Sequence, residues 1–298
     1  MISSRIFERL YILGNDVRIA KLKCLTSIGI GGKAIVVEPN SVQTLIETVK
    51  LLKDEGIDHR IMGLGTNIVA SDEDLKFLVL RTSHLGSVVV ENEVLIAESG
   101  APLKFVCFKA LENSLSGLEE LCGIPGSVGG AVKMNAGSYG KEIKDVLEWI
   151  ELFDGRSLKK FSPEDLGMDY RNGKIGSRIV TRVAFRLSRK NGEEIEKTMR
   201  YFFKKRLEKQ PIFEKSAGSV FKRPKPDFYV GSAIERLGLK GYRVGGVRVS
   251  QKHAGFIVNE RNGTFKDFIE LVNLIRKKMK EHYGVDLETE VELWGVMR

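Results

Sequence analysis

Residues 121–140 read LCGIPGSVGGAVKMNAGSYG, and no other stretch restricts the fold as much. Glycine and proline recur too often for a continuous helix or strand. A flexible linker would be Gly/Ser-rich with little to bury, yet Ile124, Val128, Val132, Met134 and Tyr139 stand among the glycines and Lys133 is the single charge. Apolar side chains interleaved with residues that lack a Cβ describe a buried loop whose backbone passes close to another group. The expectation is a fixed cradle for a ligand.

The 298 residues, 42% hydrophobic and 29% charged, suit two or three compact units with an ordinary core. The first residues, MISSRIFERLYILGND, interrupt their apolar run with charges and offer no small-residue cleavage site, so a secretory leader is not expected. No window nears the roughly 18 consecutive apolar residues of a membrane span, so membrane insertion is not expected. Cys24, Cys107 and Cys122 are odd in number, widely spaced and outside any Cys-x-x-Cys pair. They point to reduced thiols in a cytoplasmic protein, and no metal site is expected.

The formal net charge of +9 calls for an anionic partner. Nucleic acid is not expected, because the basic residues are scattered and no nucleic-acid-binding signature occurs. The densest basic segment, KKRLEKQPIFEKSAGSVFKRPK at 204–225, surrounds a Ser-Ala-Gly-Ser turn. It suits a pocket for a small phosphorylated or carboxylated ligand, the alternative being a solvated basic face. The oligomeric state is left open.

Along the chain, Ser41 caps a helical pattern (Val42, Leu45, Ile46, Val49, Leu51, Leu52) that ends at Gly56. HRIMGLGTNIVASD reads as strand, glycine turn, then strand or short helix, and LKFLVLRT and VLIAES as short strands. Pro102 suits the first position of a helix to about Asn113. VLEWIELF reads as a strand, and residues 179–187 alternate, with Ile179, Thr181, Val183, Phe185 and Leu187 on one face and Arg182 and Arg186 on the other. The polar, turn-like segment 188–199 precedes a helix over Tyr201–Glu208 and marks a unit boundary. GSAIERLGL reads as a helix, VGGVRVS and GFIVN as strands, and Thr264 and Gly284 cap a helix from Phe265 to Tyr283. LETEVELWGV is a closing strand. The pattern predicts an α+β fold without regular βαβ alternation.

GLGTN at 63–67 is a second glycine turn. It misses the dinucleotide fingerprint, because Ile68 stands where the third glycine would. Thr66 and Asn67 beside free backbone N–H groups could still hold a pyrophosphate. With Ser127 and Asn135 in the first stretch, two glycine loops could clamp a dinucleotide.

GLGTNIVASD, GIPGSVGGAVKMNAGSYG, DYRNG, KQP…SAGSVFKRP, LKGYRVGGVRVSQKHAGFIVN and LETEVELWG together resemble, in order, the motifs of the UDP-N-acetylenolpyruvoylglucosamine reductases, over roughly residues 21–295. The resemblance implies a two-subdomain FAD-binding fold of the vanillyl-alcohol-oxidase type (1–78 and 79–200) and an α+β substrate domain (201–285), with 286–298 returning to the first segment. It implies FAD as cofactor, NADPH as electron donor and UDP-N-acetylglucosamine enolpyruvate as substrate. The FAD walls would be Gly63, Gly65, Thr66 and Asn67 on one side. On the other would be Gly123, Ile124, Pro125, Gly126, Ser127, Gly129, Gly130, Asn135, Ala136 and Gly137.

Hydride delivered to the β-carbon of the enolpyruvyl group places negative charge on the α-carbon and its carboxylate, which needs stabilisation and a proton. By motif position Ser219 resembles the proton donor, and Arg171 and Glu290 the pair that polarises the carboxylate. Glu288 and Glu292 share a strand face with Glu290, so spacing does not choose among the three. Tyr170, Lys209, Lys222, Arg223 and His253 are the expected substrate contacts. Two departures stand out. Lys222-Arg223-Pro224 replaces the usual Lys-Asn-Pro, and the chain between Arg171 and Arg206 is too short for the tyrosine-bearing lid of the longer family form. An FAD-dependent oxidase of the same fold is the nearest alternative, and SAGS and ETEVE speak against it.

Overall fold

The computed structural model describes residues 3–295, and it divides into two compact units. The first comprises the chain up to Arg18 with Ile35–Leu64 and Lys76–Lys205; the second comprises Ile19–Ala34, Gly65–Leu75 and the chain from Arg206 on. The fold is α+β.

In the first unit the strand Lys33–Pro39, the helix Val42–Asp54 and the strand His59–Met62 form one parallel βαβ element, both strands pairing in parallel with Leu78–Arg81. Among the described residues there is still no regular alternation along the chain. Ser41 Oγ accepts the Thr44 N–H at 3.0 Å, and Gly56 adopts φ +63° just past the C-cap, as the local pattern predicts. Leu45, Val49 and Leu52 are fully buried with Val37, Leu78 and Leu80. Each such side chain contributes about 1.5–3 kcal/mol on leaving water. Beside this core, the buried Glu38 carboxylate accepts from Arg81 at 2.8 Å and Ser83 at 2.6 Å and pairs with Arg18.

A five-stranded antiparallel sheet follows, in the order Leu158–Phe161, Leu147–Phe153, Ile179–Arg186, Val94–Glu98 and Val88–Glu91. Ile179–Arg186 is its centre, which explains why Val180 and Ala184 are buried as well as the alternating set. Pro102 occupies the N-cap of the helix Leu103–Glu112 rather than its first turn.

Most of the segment expected to be a turn-rich boundary is instead helical: Ser188–Arg189 pairs with Leu115–Ser116, and the helix Gly192–Lys209 covers it from Gly192 on. Its polarity is that of a solvated face. Glu196 and Arg200 pair at i,i+4, while Ile195 and Met199 reach the core at the same spacing.

The second unit contains an antiparallel sheet in the order Ser216–Ser219, Phe256–Asn259, Val247–Val249, Arg243–Val244. The helices Val230–Arg236 and Phe265–Tyr283 belong to the same unit. The longer helix has a capping box between Thr264 and Asp267 and ends at Gly284, φ +67°. Phe268, Leu271, Val272, Ile275 and Met279 form its buried stripe. The closing strand is shorter than expected: only Glu292–Trp294 is strand, parallel to Ile68–Ala70. Residues 296–298 of the expected returning strand lie outside the described residues.

Candidate functional site

Each unit assembles part of the predicted constellation, and the local reasons can be followed residue by residue. In the first unit Ser127 caps the short helix Val128–Lys133, its Oγ accepting the Gly130 N–H at 3.3 Å. The loop around it is tied down by its backbone: Leu103 N to Gly126 O, Val128 N to Ala101 O and Gly129 N to Ser99 O, all at 2.8–2.9 Å. Gly63, from the second glycine turn, meets this loop directly. A Cβ there would stand 2.2 Å from Ser127 Oγ. Gly63 and Ser127 are therefore neighbours, and glycine is required at 63 for the approach.

Asn135 lies fully buried at φ +40°. Its amide donates to Glu142 Oε2 and to the Asp169 carbonyl, both at 2.9 Å, and its Oδ1 accepts the Lys144 N–H at 3.2 Å. The sequence suggested this amide as a polar contact for a ligand; the structure commits it to holding the loop. The Asp169 bond also brings DYRNG against the glycine loop, as does Gly173 N on Lys133 O at 2.9 Å. Arg171, at φ +53°, donates to Gly137 O at 3.3 Å, and its guanidinium lies 5.0 Å from the centre of the exposed Tyr170 ring. Gly123, Ile124, Gly126, Gly129, Ala136 and Gly137 remain half-buried and Pro125 and Gly130 exposed. The rim is thus uncharged, built of backbone and small apolar groups.

In the second unit, Ser219 ends the strand Ser216–Ser219, which pairs irregularly with Phe256–Asn259 around the left-handed Gly218, φ +86°. A bulge of this kind re-aims the side chain that follows it. Val220 N–H donates to Gly255 O at 2.9 Å, and a Cβ at Gly255 would lie 3.6 Å from Ser219 Oγ and 3.1 Å from His253 Nδ1. Gly255 is thus a spacer between the serine and the imidazole. Its own N–H donates to His253 Nδ1 at 3.1 Å, which leaves the proton of a neutral ring on Nε2. Burial pushes the His253 pKa below the usual histidine value, and Lys240 adds to the shift.

Residues 288–290 run beside 220–222 through an antiparallel bridge between Thr289 and Phe221. The three glutamates that spacing could not separate have different partners here. Glu288 is exposed and pairs with Lys222 Nζ at 2.6 Å. Glu292 Oε2 accepts from Trp294 Nε1 at 3.4 Å. Glu290 donates its N–H to the carbonyl of Val220, the residue after Ser219, at 2.7 Å. Asn67 of the glycine turn reaches the same place, its Nδ2 donating to Glu290 O at 3.0 Å.

Arg223 has no ion pair among the described residues; its guanidinium lies over the exposed Tyr229 ring at 4.6 Å. Lys209 is exposed at the end of its helix, and Thr66 is half-buried. Tyr229 was not singled out from the sequence. An aromatic placed shortly after a basic triplet was the available signal.

Two family models match separate parts of the chain. Residues 33–157 match the model of an FAD binding domain, and residues 210–294 that of the UDP-N-acetylenolpyruvoylglucosamine reductase C-terminal domain. A UDP-N-acetylenolpyruvoylglucosamine reductase from a Thermotoga species is 50% identical over 97% of this chain and 97% of its own. That of Thermotoga maritima is 49% identical, covering 92% and 97%. Among solved structures, the Thermus caldophilus reductase superposes with a TM-score of 0.81 at 34% identity, over 94% of this chain and 100% of that one.

Proposed function

The chain belongs to the UDP-N-acetylenolpyruvoylglucosamine reductase family, and from that premise we propose how its own residues divide the reaction. It is an FAD-dependent oxidoreductase of peptidoglycan precursor synthesis. We assign NADPH as electron donor. The cytoplasm is the proposed compartment, where both nucleotides are at hand; no helix among the described residues is long and apolar enough to cross a membrane. The residues present fit FAD: the rim residues Gly123, Ile124, Gly126, Gly129, Ala136 and Gly137 are uncharged and mostly without long side chains, with Gly126 at φ +126°. Gly63, Gly65, Thr66 and the main chain of Asn67 supply the other proposed wall, the Asn67 side-chain amide being turned to Glu290 O. Bound FAD supplies the two-electron transfer between NADPH and the enolpyruvyl ether.

What falls to the protein is charge and proton management. Arg171 and Glu290 polarise the substrate carboxylate as negative charge develops on the α-carbon, and Ser219 Oγ–H protonates that carbon. A serine hydroxyl is a weak acid, so the transfer needs a carbanion-like acceptor and a stabilised alkoxide. The observation that carries this reading is the hydrogen bond of Glu290 N–H to Val220 O, which sets the acid segment beside Ser219. Lys222 is three residues from Ser219 but is neutralised by Glu288. Arg223 is therefore the stronger diphosphate ligand. Stacking on Tyr229 occupies the face of the guanidinium and leaves its in-plane N–H groups for phosphate oxygens. Tyr170, Lys209 and His253, a donor through Nε2, complete the substrate contacts.

The test is a separation of half-reactions. Ser219→Ala is expected to keep FAD and to be reduced by NADPH at the normal rate. Reoxidation by the enolpyruvyl sugar nucleotide should then slow about 10²–10⁴-fold. Normal reoxidation would remove Ser219 from the mechanism. NADPH oxidation that ignores the sugar nucleotide would count against the electron path.

A further inference from the structure

We infer that Asn67 is a positioning residue for Glu290: its side-chain amide holds the peptide that aims the Glu290 carboxylate. The inference rests on the reading of Glu290 as catalytic. Glu290 is not in a regular strand. It sits between the isolated bridge at Thr289 and the three-residue strand Glu292–Trp294, and hydrogen bonds on both its backbone polar groups hold it there. One is its own N–H, on Val220 O at 2.7 Å; the next tie, on its carbonyl, comes from Asn67 Nδ2 at 3.0 Å. Asn67 then accepts the Glu292 N–H on its backbone carbonyl at 2.8 Å. The one residue grips the segment twice, through its side chain and its main chain, on either side of Val291.

The side-chain tie needs a donor with the reach of an amide. Aspartate has the shape but not the N–H, and alanine has neither. Without the donor, the main-chain bond to Glu292 survives while the Glu290–Val291 peptide is free to rotate. With its carbonyl untied, Glu290 is held on one side alone, so its Cα and the side chain it carries shift more easily relative to Ser219. The neighbouring Thr66 and Gly65 make a simple cofactor contact the obvious competing role for Asn67. The two roles differ in what they should disturb: a cofactor contact alters flavin retention, whereas a positioning contact alters only the step in which Glu290 takes part.

The experiment uses the FAD holoenzyme. Asn67→Ala, Glu290→Gln and the double variant are reduced anaerobically with dithionite, which bypasses NADPH. Reoxidation by the enolpyruvyl sugar nucleotide is then followed at the flavin band, per bound flavin, and FAD content is measured separately. The expected result for Asn67→Ala is unchanged FAD content with reoxidation slowed about 10–100-fold, the scale of a catalytic group misplaced by about 1 Å. The double variant should be about as slow as Glu290→Gln alone, because aiming an absent carboxylate has no effect. A wild-type rate per bound flavin in Asn67→Ala, or losses that multiply in the double variant, would overturn the inference. Wild-type reoxidation in Glu290→Gln would instead overturn the premise about Glu290. Should the alanine variant not fold, the isosteric Asn67→Asp removes the same donor and is read in the same way.

Discussion

The approach of the two glycine turns can be tested at Gly63. An alanine Cβ there would lie 2.2 Å from Ser127 Oγ and 3.3 Å from Ser127 Cβ. Ordinary contact begins near 3.4 Å, so one group must move by about 1 Å. Forcing a methyl group into such a gap costs about 1–3 kcal/mol. If Ser127 is the group that yields, it also loses its N-cap bond to Gly130, worth about 1 kcal/mol. Gly63→Ala should therefore destabilise the apoprotein by about 2–4 kcal/mol in urea unfolding. It should also weaken FAD binding, since both turns are proposed walls of that site.

Ser127→Gly supplies the control, because it removes the obstructing Oγ and Cβ together, and glycine at an N-cap costs only about a few tenths of a kcal/mol relative to serine. Gly63→Ala combined with Ser127→Gly should then recover most of the lost stability, a favourable coupling of about 2 kcal/mol or more. Additive losses would mean that Gly63 is required for its own backbone conformation or for a different neighbour. The packing argument would then fail.

Two further outcomes follow from titratable groups. Burial alone would raise the pKa of Glu38, but the Ser83 hydroxyl and the Arg81 and Arg18 guanidinium groups outweigh it and hold the carboxyl below its ordinary value. Its contribution is therefore complete above the unfolded-state pKa near 4.3 and is lost as pH falls through the folded value. Glu38→Gln should cost about 3–5 kcal/mol at pH 7 by stranding Arg81, and should flatten the acid limb of a stability–pH curve; an unchanged limb would refute the assignment. His253 is shifted down, chiefly by burial, so its contribution is complete above about pH 6.5 and declines as pH falls from there toward the folded pKa. His253→Gln should remove that dependence between about pH 6.5 and the folded value, and a variant that keeps it would show that another group is responsible.

What could be read from the sequence was what is decided locally. Ser41 and Gly56, or Thr264 and Gly284, bracket their helices because capping is a matter of adjacent residues. The helix Gly192–Lys209 escaped because its first half is nearly all polar, and only Ile195 and Met199 record the buried stripe. The parallel pairing of His59–Met62 and Lys33–Pro39 with Leu78–Arg81 left no mark on any one strand. Among the site residues, motif position alone singled out Glu290. Its place beside Val220 depends on a bridge between segments far apart in the chain, and Asn67 lies 223 residues away from it.

The two asparagines clarify what a glycine-dense loop requires. A loop of this kind has few side chains with which to hold itself, and each glycine adds conformational freedom that folding must remove. Asn135 and Asn67 were both read as groups that would reach toward a ligand. Asn135 instead fastens the loop to Glu142, Asp169 and Lys144 N–H from a left-handed conformation that asparagine tolerates better than most residues. Asn67 fastens the segment that carries Glu290. In each case a short amide supplies bonds the glycines cannot, and Asn135 spends both its amide donors and its oxygen in doing so. Alanine at Asn135 should accordingly weaken FAD binding by loosening the loop, with a stability loss in the apoprotein of about 1–3 kcal/mol from the buried groups left unpaired. Weakened binding with full apoprotein stability would return Asn135 to the role of a direct ligand contact.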